Sequence, residues 1–326
     1  MSHFIFDDLP GRTAQVQGKE YLFFSGYGYL GLQFVDEFKA MVTEGINKYG
    51  WLYPSSRISN TRIALFEECE HLLSSITGCE ETVLVSTGYT AGRLATEIFK
   101  EDIINLNPSH PAIKRDNPSI SKGIYAVDSI NILTSAITDI AAINQLNDLA
   151  TLVIDDSHGA GLTGINGAGA SSYTERKDGV DYIFTYSLSK AWGINAGAVS
   201  CSKKPAEKYR HLPAYTGATA PSPGLVYAFI KGQDIYAIQR EKLKNNIQYF
   251  QSAVAGIKGI RHDDGLPMFV LPTVDESLLV KQNIIISSFA YPNPTAPKIQ
   301  RVVINALHTK QDLDYLASSL KAALIT

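Results

Sequence analysis

Cysteine is scarce: Cys69, Cys79 and Cys201 are the only three in 326 residues. An odd, widely spaced set is no disulfide framework, and no Cys-x-x-Cys pair offers a zinc site, so no metal is expected. Reduced thiols in a cytoplasmic protein are the simple reading. Long apolar runs are also missing. No window approaches about 18 uninterrupted apolar residues, which excludes a membrane-spanning helix. The opening stretch through Asp7 and Asp8 lacks a basic start followed by an apolar core, so no signal peptide is expected. Excess positive charge is absent too. Lys and Arg number 29 against 32 Asp and Glu, a net charge of -3. That argues against nucleic acid or an anionic membrane as partner. No internal repeat or low-complexity tract is visible. What remains is ordinary globular composition, 45% hydrophobic and 19% charged. At about 150 residues per domain, the length suggests two domains.

Periodicity gives a coarse map. Tyr21 to Ser25 reads as a short strand, and Gly26-Tyr27-Gly28 as a turn. Phe34, Phe38, Met41, Val42 and Ile46 recur at helical spacing, as do Ile63, Phe66, Leu73 and Ile76. Strands are then expected at Thr82–Ser86, Ile124–Val127, Thr151–Ile154, Tyr182–Tyr186 and Ala198–Cys201, with a helix from about Thr90. Apolar strands separated by helical stretches predict an α/β architecture with a mostly parallel sheet. After Pro221 the texture changes. One long helix is expected from Tyr227 to about Ile257, with a bend. Short strands follow at Met268–Leu271, Ile284–Ser288 and Val302–Asn305. Thr309 to Asp312 resembles a capping box that opens a last helix. The expected division is an N-terminal segment 1–45 packing with the small domain, a large domain 46–225, and a small α+β domain 226–326.

Four stretches carry chemistry. Val153-Ile154-Asp155-Asp156-Ser157-His158-Gly159 ends an apolar strand in two acids and a histidine. Ligands of open parallel sheets bind at the carboxyl ends of strands. The plain alternative is a turn capped by Asp155, with His158 only packing. Tyr186-Ser187-Leu188-Ser189-Lys190 follows the next strand. A lysine there is a candidate Schiff-base amine, and the hydroxyls of Ser187 and Ser189 suit a phosphate. A solvated surface lysine is the alternative. Ser86-Thr87-Gly88-Tyr89-Thr90 runs from strand into helix, whose free N–H groups form an anion site. His110, between Pro108 and Pro111, says little alone.

The order and spacing of these four resemble the fold-type I enzymes that use pyridoxal 5'-phosphate (PLP). Within these the chain resembles the α-oxoamine synthase family, its 8-amino-7-oxononanoate synthase members foremost. Tyr29-Leu30-Gly31-Leu32, Asp155-Asp156-Ser157-His158-Gly159 with the glycines that follow, Ser187-Leu188-Ser189-Lys190, and Arg301 through His308-Thr309 match the family's motifs. The resemblance implies the aspartate aminotransferase-like fold, a large domain with a mostly parallel seven-stranded sheet. It also implies PLP held by Lys190, with Asp155 on the pyridine nitrogen. His158 would reach the ring oxygen or the substrate carbonyl, and His110 would stack on the ring. The backbone of Gly88 and Tyr89, with Ser187, would hold the phosphate. Thr216 would reach the phosphate of the neighbouring subunit in a homodimer whose active site lies at the interface.

The departures fall on the substrate. Tyr27 stands where the family usually has Asn, and Tyr291 stands where it usually has Arg. The stretch between His110 and Asp155 is shorter than the family's. Arg301 remains as a carboxylate partner, with a structural ion pair as its alternative. The implied reaction condenses an amino acid, alanine foremost, with an acyl thioester (acyl-CoA or acyl-carrier protein) and loss of CO2. An aminotransferase or lyase on the same scaffold is the first alternative. A degenerate, noncatalytic PLP-binding protein is the second.

Overall fold

The computed structural model describes residues 4–99, 102–115, 123–291, 293 and 295–324. Part of the shortened stretch after His110, together with Pro292 and Pro294 beside Tyr291, lies outside them. In chain order the strands are β1 Thr13–Val16, β2 Lys19–Phe24, β3 Glu81–Val85, β4 Ile103–Asn105, β5 Ile124–Asp128, β6 Thr151–Asp155, β7 Asp181–Ser187, β8 Gly197–Cys201, β9 Met268–Val270, β10 Ile284–Ala290 and β11 Lys298–Val303. The longer helices are α1 Asp36–Tyr49, α2 Leu65–Thr77, α3 Gly88–Glu97, α4 Pro223–Lys231, α5 Gln233–Val254 and α6 Lys310–Ala323.

The chain clusters into two compact units. One gathers Met1–Phe34, Ile132–Ala136 and Ile238–Thr326; the other gathers Val35–Asn131 and Ile137–Ala237. These limits differ from 45 and 225. Helix α1 falls wholly in the second unit, where it packs on α4.

The second unit is built on a sheet of order β3-β8-β7-β6-β5-β4. It has six strands among the described residues, not the seven expected. Strands β4, β5, β6 and β7 pair in parallel, and β8 runs antiparallel to both β7 and β3. Parallel strands covered on both faces need continuous apolar runs, and β6 is buried at all five positions. On one face, Val83, Val85, Ala126, Val153, Ile183 and Val199 pack against Ala91, Leu94 and Ala95 of α3.

The first unit holds a sheet of order β1-β2-β10-β11-β9, antiparallel except for β2 beside β10. Its last helix opens on a complete capping box. Thr309 Oγ1 accepts from Asp312 N–H, and Asp312 Oδ2 accepts from Thr309 N–H. The single helix expected from Tyr227 to Ile257 is two. Lys231 ends α4 with Gly232 as its cap, and α5 begins at Gln233. Glycine lowers helix propensity enough to permit such a break, which periodicity alone does not reveal.

Candidate active site

The chemistry-bearing residues of the second unit converge because of strand register. Asp128, Asp155 and Thr185 are paired across β5, β6 and β7. Side chains alternate along a strand, so these three share a face with Ala126, Val153 and Ile183 two residues earlier. That is the face covered by α3. Asp155 is only 7% exposed, and its Oδ1 accepts from Ser157 N–H at 3.0 Å. Thr185 is fully buried, and its hydroxyl finds no hydrogen-bond partner among the described residues.

Asp156 points the other way. It is fully buried, with Oδ1 accepting from the Ser129 hydroxyl at 2.6 Å and Oδ2 from Ala170 N–H at 2.8 Å. Burial pushes its pKa up to about 7, against the pull of those two hydrogen bonds. A side chain at Gly169 would place Cβ 1.9 Å from Asp156 Oδ2. The glycine-rich loop therefore closes around Asp156. Of the two acids, Asp155 is the one left for a ligand.

Lys190 sits in the turn just beyond β7. Its charge acts on Asp128, Asp156 and His110. Ser187 Oγ lies 2.9 Å from Ser189 Oγ, and Ser187 N–H donates to Ser157 Oγ. Gly88 opens α3 against this strand end, where an added Cβ would lie 2.4 Å from Ser187 Cβ. Only glycine allows that approach. The first helical bond of α3 runs from Ala91 N–H to Thr87 O, and Thr90 N–H donates to Thr87 Oγ1. The N–H groups of Gly88 and Tyr89 thus stand at the helix start beside the Ser187 hydroxyl, a site suited to an anion.

His110 is more than a loop residue. Its N–H donates to Asp128 Oδ1 at 2.8 Å, and its Nδ1 accepts from Ala112 N–H at 3.1 Å. Nδ1 also lies 3.9 Å from Asp155 Oδ2. A nitrogen that accepts an N–H carries no proton, so this is a neutral ring beside a carboxylate, not an ion pair. Burial lowers the His110 pKa, consistent with that tautomer. His158 follows Asp155 by three residues in the turn after β6.

Thr216 ends a short helix, Pro213–Thr216, and its carbonyl accepts from Ser56 Oγ. No bond joins it to the Lys190 group among the described residues. Sequence reasoning missed Asp128 and Thr185. The signal for Asp128 was present, since Val127-Asp128 ends an apolar strand as Ile154-Asp155 does.

Arg301, Tyr27 and Tyr291 belong to the first unit. Arg301 is 8% exposed; one terminal nitrogen donates to Ile132 O, and the guanidinium lies 5.3 Å from the Phe289 ring centroid. Its Nε has no partner, and no carboxylate pairs with it among the described residues. Among the described residues, then, the ion-pair alternative has no acid to supply it. Burial pulls its pKa below the usual arginine value. Tyr27 is 52% exposed, and Tyr291 follows β10 half-buried.

The fold and the family match together place the chain among the fold-type I, PLP-dependent transferases. The chain belongs to the aminotransferase class I and II family, whose model matches residues 131–320, more than half its length. It is similar to 8-amino-7-oxononanoate synthase of Lysinibacillus sphaericus, at 26% identity over 95% of this chain and 91% of that one. Among solved structures it is similar to serine palmitoyltransferase of Sphingomonas wittichii, with a TM-score of 0.83 and 17% identity over 98% of this chain and 91% of that one. A serine palmitoyltransferase structure holding PLP matches with a TM-score of 0.84 at 18% identity, over 98% and 92% of the two chains. These structures establish the fold.

The residues present fit PLP. The Gly88–Ser187 approach leaves no room for a side chain but presents backbone N–H and hydroxyl donors to a phosphate. Asp155 and the unpartnered Thr185 hydroxyl provide polar groups on the same face.

Proposed function

We propose that this chain condenses an amino acid, alanine foremost, with an acyl thioester and releases CO2. The observation that carries the reading is Lys190 at the end of β7, its charge felt by Asp128 and His110, with Asp155 on the α3 face. Relatives named 8-amino-7-oxononanoate synthase, matched over nearly the whole chain, favour this reaction over others on the fold. Bound PLP supplies an electron sink for the carbanion that decarboxylation and condensation share.

The chain's own residues divide the remaining work. Lys190 anchors the cofactor through Nζ and moves the proton at the substrate's α-carbon. Asp155 holds a proton on the ring nitrogen by charge. The neutral His110 ring gives an uncharged face for stacking, and His158 hydrogen-bonds the ring oxygen or substrate carbonyl. Gly88, Tyr89 and Ser187 bind the phosphate, and Thr216 does so for the second subunit of a homodimer. On charge alone, Arg301 is the partner for the amino acid's carboxylate. Its guanidinium lacks an internal counter-charge, whereas Tyr27 and Tyr291 each offer at most one neutral donor. Arg301→Ala should raise the dissociation constant for alanine about tenfold or more, or roughly 1.4 kcal/mol and above. An unchanged constant would make Arg301 structural.

The reaction is tested by following free thiol when the protein meets L-alanine and an acyl-CoA. The reading predicts thiol release that requires both substrates. Amino-group transfer from alanine to a 2-oxo acid without thiol release would establish the aminotransferase instead. No turnover with either, by a protein that binds PLP, would favour a noncatalytic role.

A further inference from the structure

Asp128 places a second carboxyl beside Asp155. The two residues close adjacent parallel strands in direct register. Paired positions in neighbouring strands lie about 4.8 Å apart with side chains on one face. Each acid has one firm backbone donor, His110 N–H for Asp128 and Ser157 N–H for Asp155. Two carboxylates so close in a poorly hydrated site do not both ionise freely. Burial first, and then the charge of Asp155, push the Asp128 pKa up to about 7, against the His110 N–H and Lys190. The third member of the row, Thr185, has a buried hydroxyl without a partner among the described residues.

We propose that Asp128 carries a proton at neutral pH, and that a cationic ring held by Asp155 expels it, so that PLP uptake carries a proton out of the site. The inference rests on the PLP site assigned above. The balance is simple: the Asp128 O–H bond breaks, the proton passes to solvent water, and the ring's positive charge takes its place. No electrons change hands. The charged and titratable groups facing Asp128 are Asp155 on β6, Lys190 beyond β7 and His110 beyond β4; Asp156 lies behind β6. Asp155, His110 and Lys190 are present in both the parent and an Asp128 variant, so a difference in proton count between the two is tied to Asp128.

Calorimetric titration of PLP into the cofactor-stripped full chain, in two buffers of different ionisation enthalpy, counts the protons. Asp128→Asn keeps an oxygen to accept the His110 N–H but cannot release a proton. At about pH 6.5 the variant should release about one proton fewer than the parent. Equivalently, the parent's PLP affinity should gain up to about tenfold more per pH unit than the variant's below pH 7. If the variant does not fold, infrared difference spectra of the parent serve: PLP should abolish a protonated-carboxyl band. Equal proton counts, or an unchanged carboxyl band, overturn the inference while leaving the PLP site intact. A parent that fails to bind PLP overturns the site itself.

Discussion

Asp155 and Asp156 are neighbours in sequence with opposite duties, and alternation along β6 separates them. Asp155→Asn keeps an acceptor for Ser157 N–H, so thermal stability should change little. Turnover should fall by orders of magnitude, because the ring nitrogen loses its charged partner. Asp156→Asn should do the reverse. Its Oδ1 can still accept from Ser129, but an amide NH2 would face the Ala170 N–H. Donor against donor in a buried site costs roughly 1–3 kcal/mol, readable as a lower melting temperature. Near wild-type turnover for Asp155→Asn, with turnover abolished in Asp156→Asn, would exchange the two assignments. The resemblance assigns the ring nitrogen to Asp155 over Asp156, and the strand's phase adds a physical reason for that choice. The partners of His110 were hidden: Asp128 lies 18 residues away, and only strand pairing joins them.

Among the elements, the strand and helix cores were legible because apolar periodicity is strong there. Edges and breaks were not. Strands β1 and β4 are short, and the Gly232 break interrupts a pattern that reads as continuous. The late Arg301-to-Thr309 motif is mixed. Its histidine is structural in the first unit: His308 Nδ1 accepts from Asn305 N–H, and Nε2 lies 3.1 Å from Phe23 O. The ring stacks on Phe24 at 4.3 Å between centroids. With Nδ1 accepting, the proton sits on Nε2 and the ring is neutral. Burial pushes its pKa down to about 4. The unfolded chain takes up this proton near pH 6.5, so it binds more protons than the folded state between about 4 and 6.5. His308 therefore costs no stability above about pH 6.5, and stability is lost as pH falls through that window. The loss is on the order of 3 kcal/mol at about 1.4 per unit. Thermal melts at about pH 7.5 and 4.5 should show a steeper acid loss for the parent than for His308→Gln. Parallel pH profiles would count against a buried neutral histidine.

For the molecule as a whole, the α/β class and the PLP family were visible because the chemistry is local: the runs at Gly88, Asp155 and Lys190 each close or directly follow a strand. Substrate choice was not: as proposed, it rests on Arg301, which keeps the family motif, and on Tyr27 and Tyr291, where this chain departs from it. Assembly was expected on resemblance alone. A homodimer should be seen by sedimentation, and a fully active monomer would remove Thr216 from the proposed site. The account stands most directly on one attachment point. The protein loaded with PLP should be yellow. Borohydride reduction followed by peptide mapping should fix the pyridoxyl group on Lys190, with Lys190→Ala leaving no labelled peptide. A label on a different lysine, or none on the loaded parent, would contradict it.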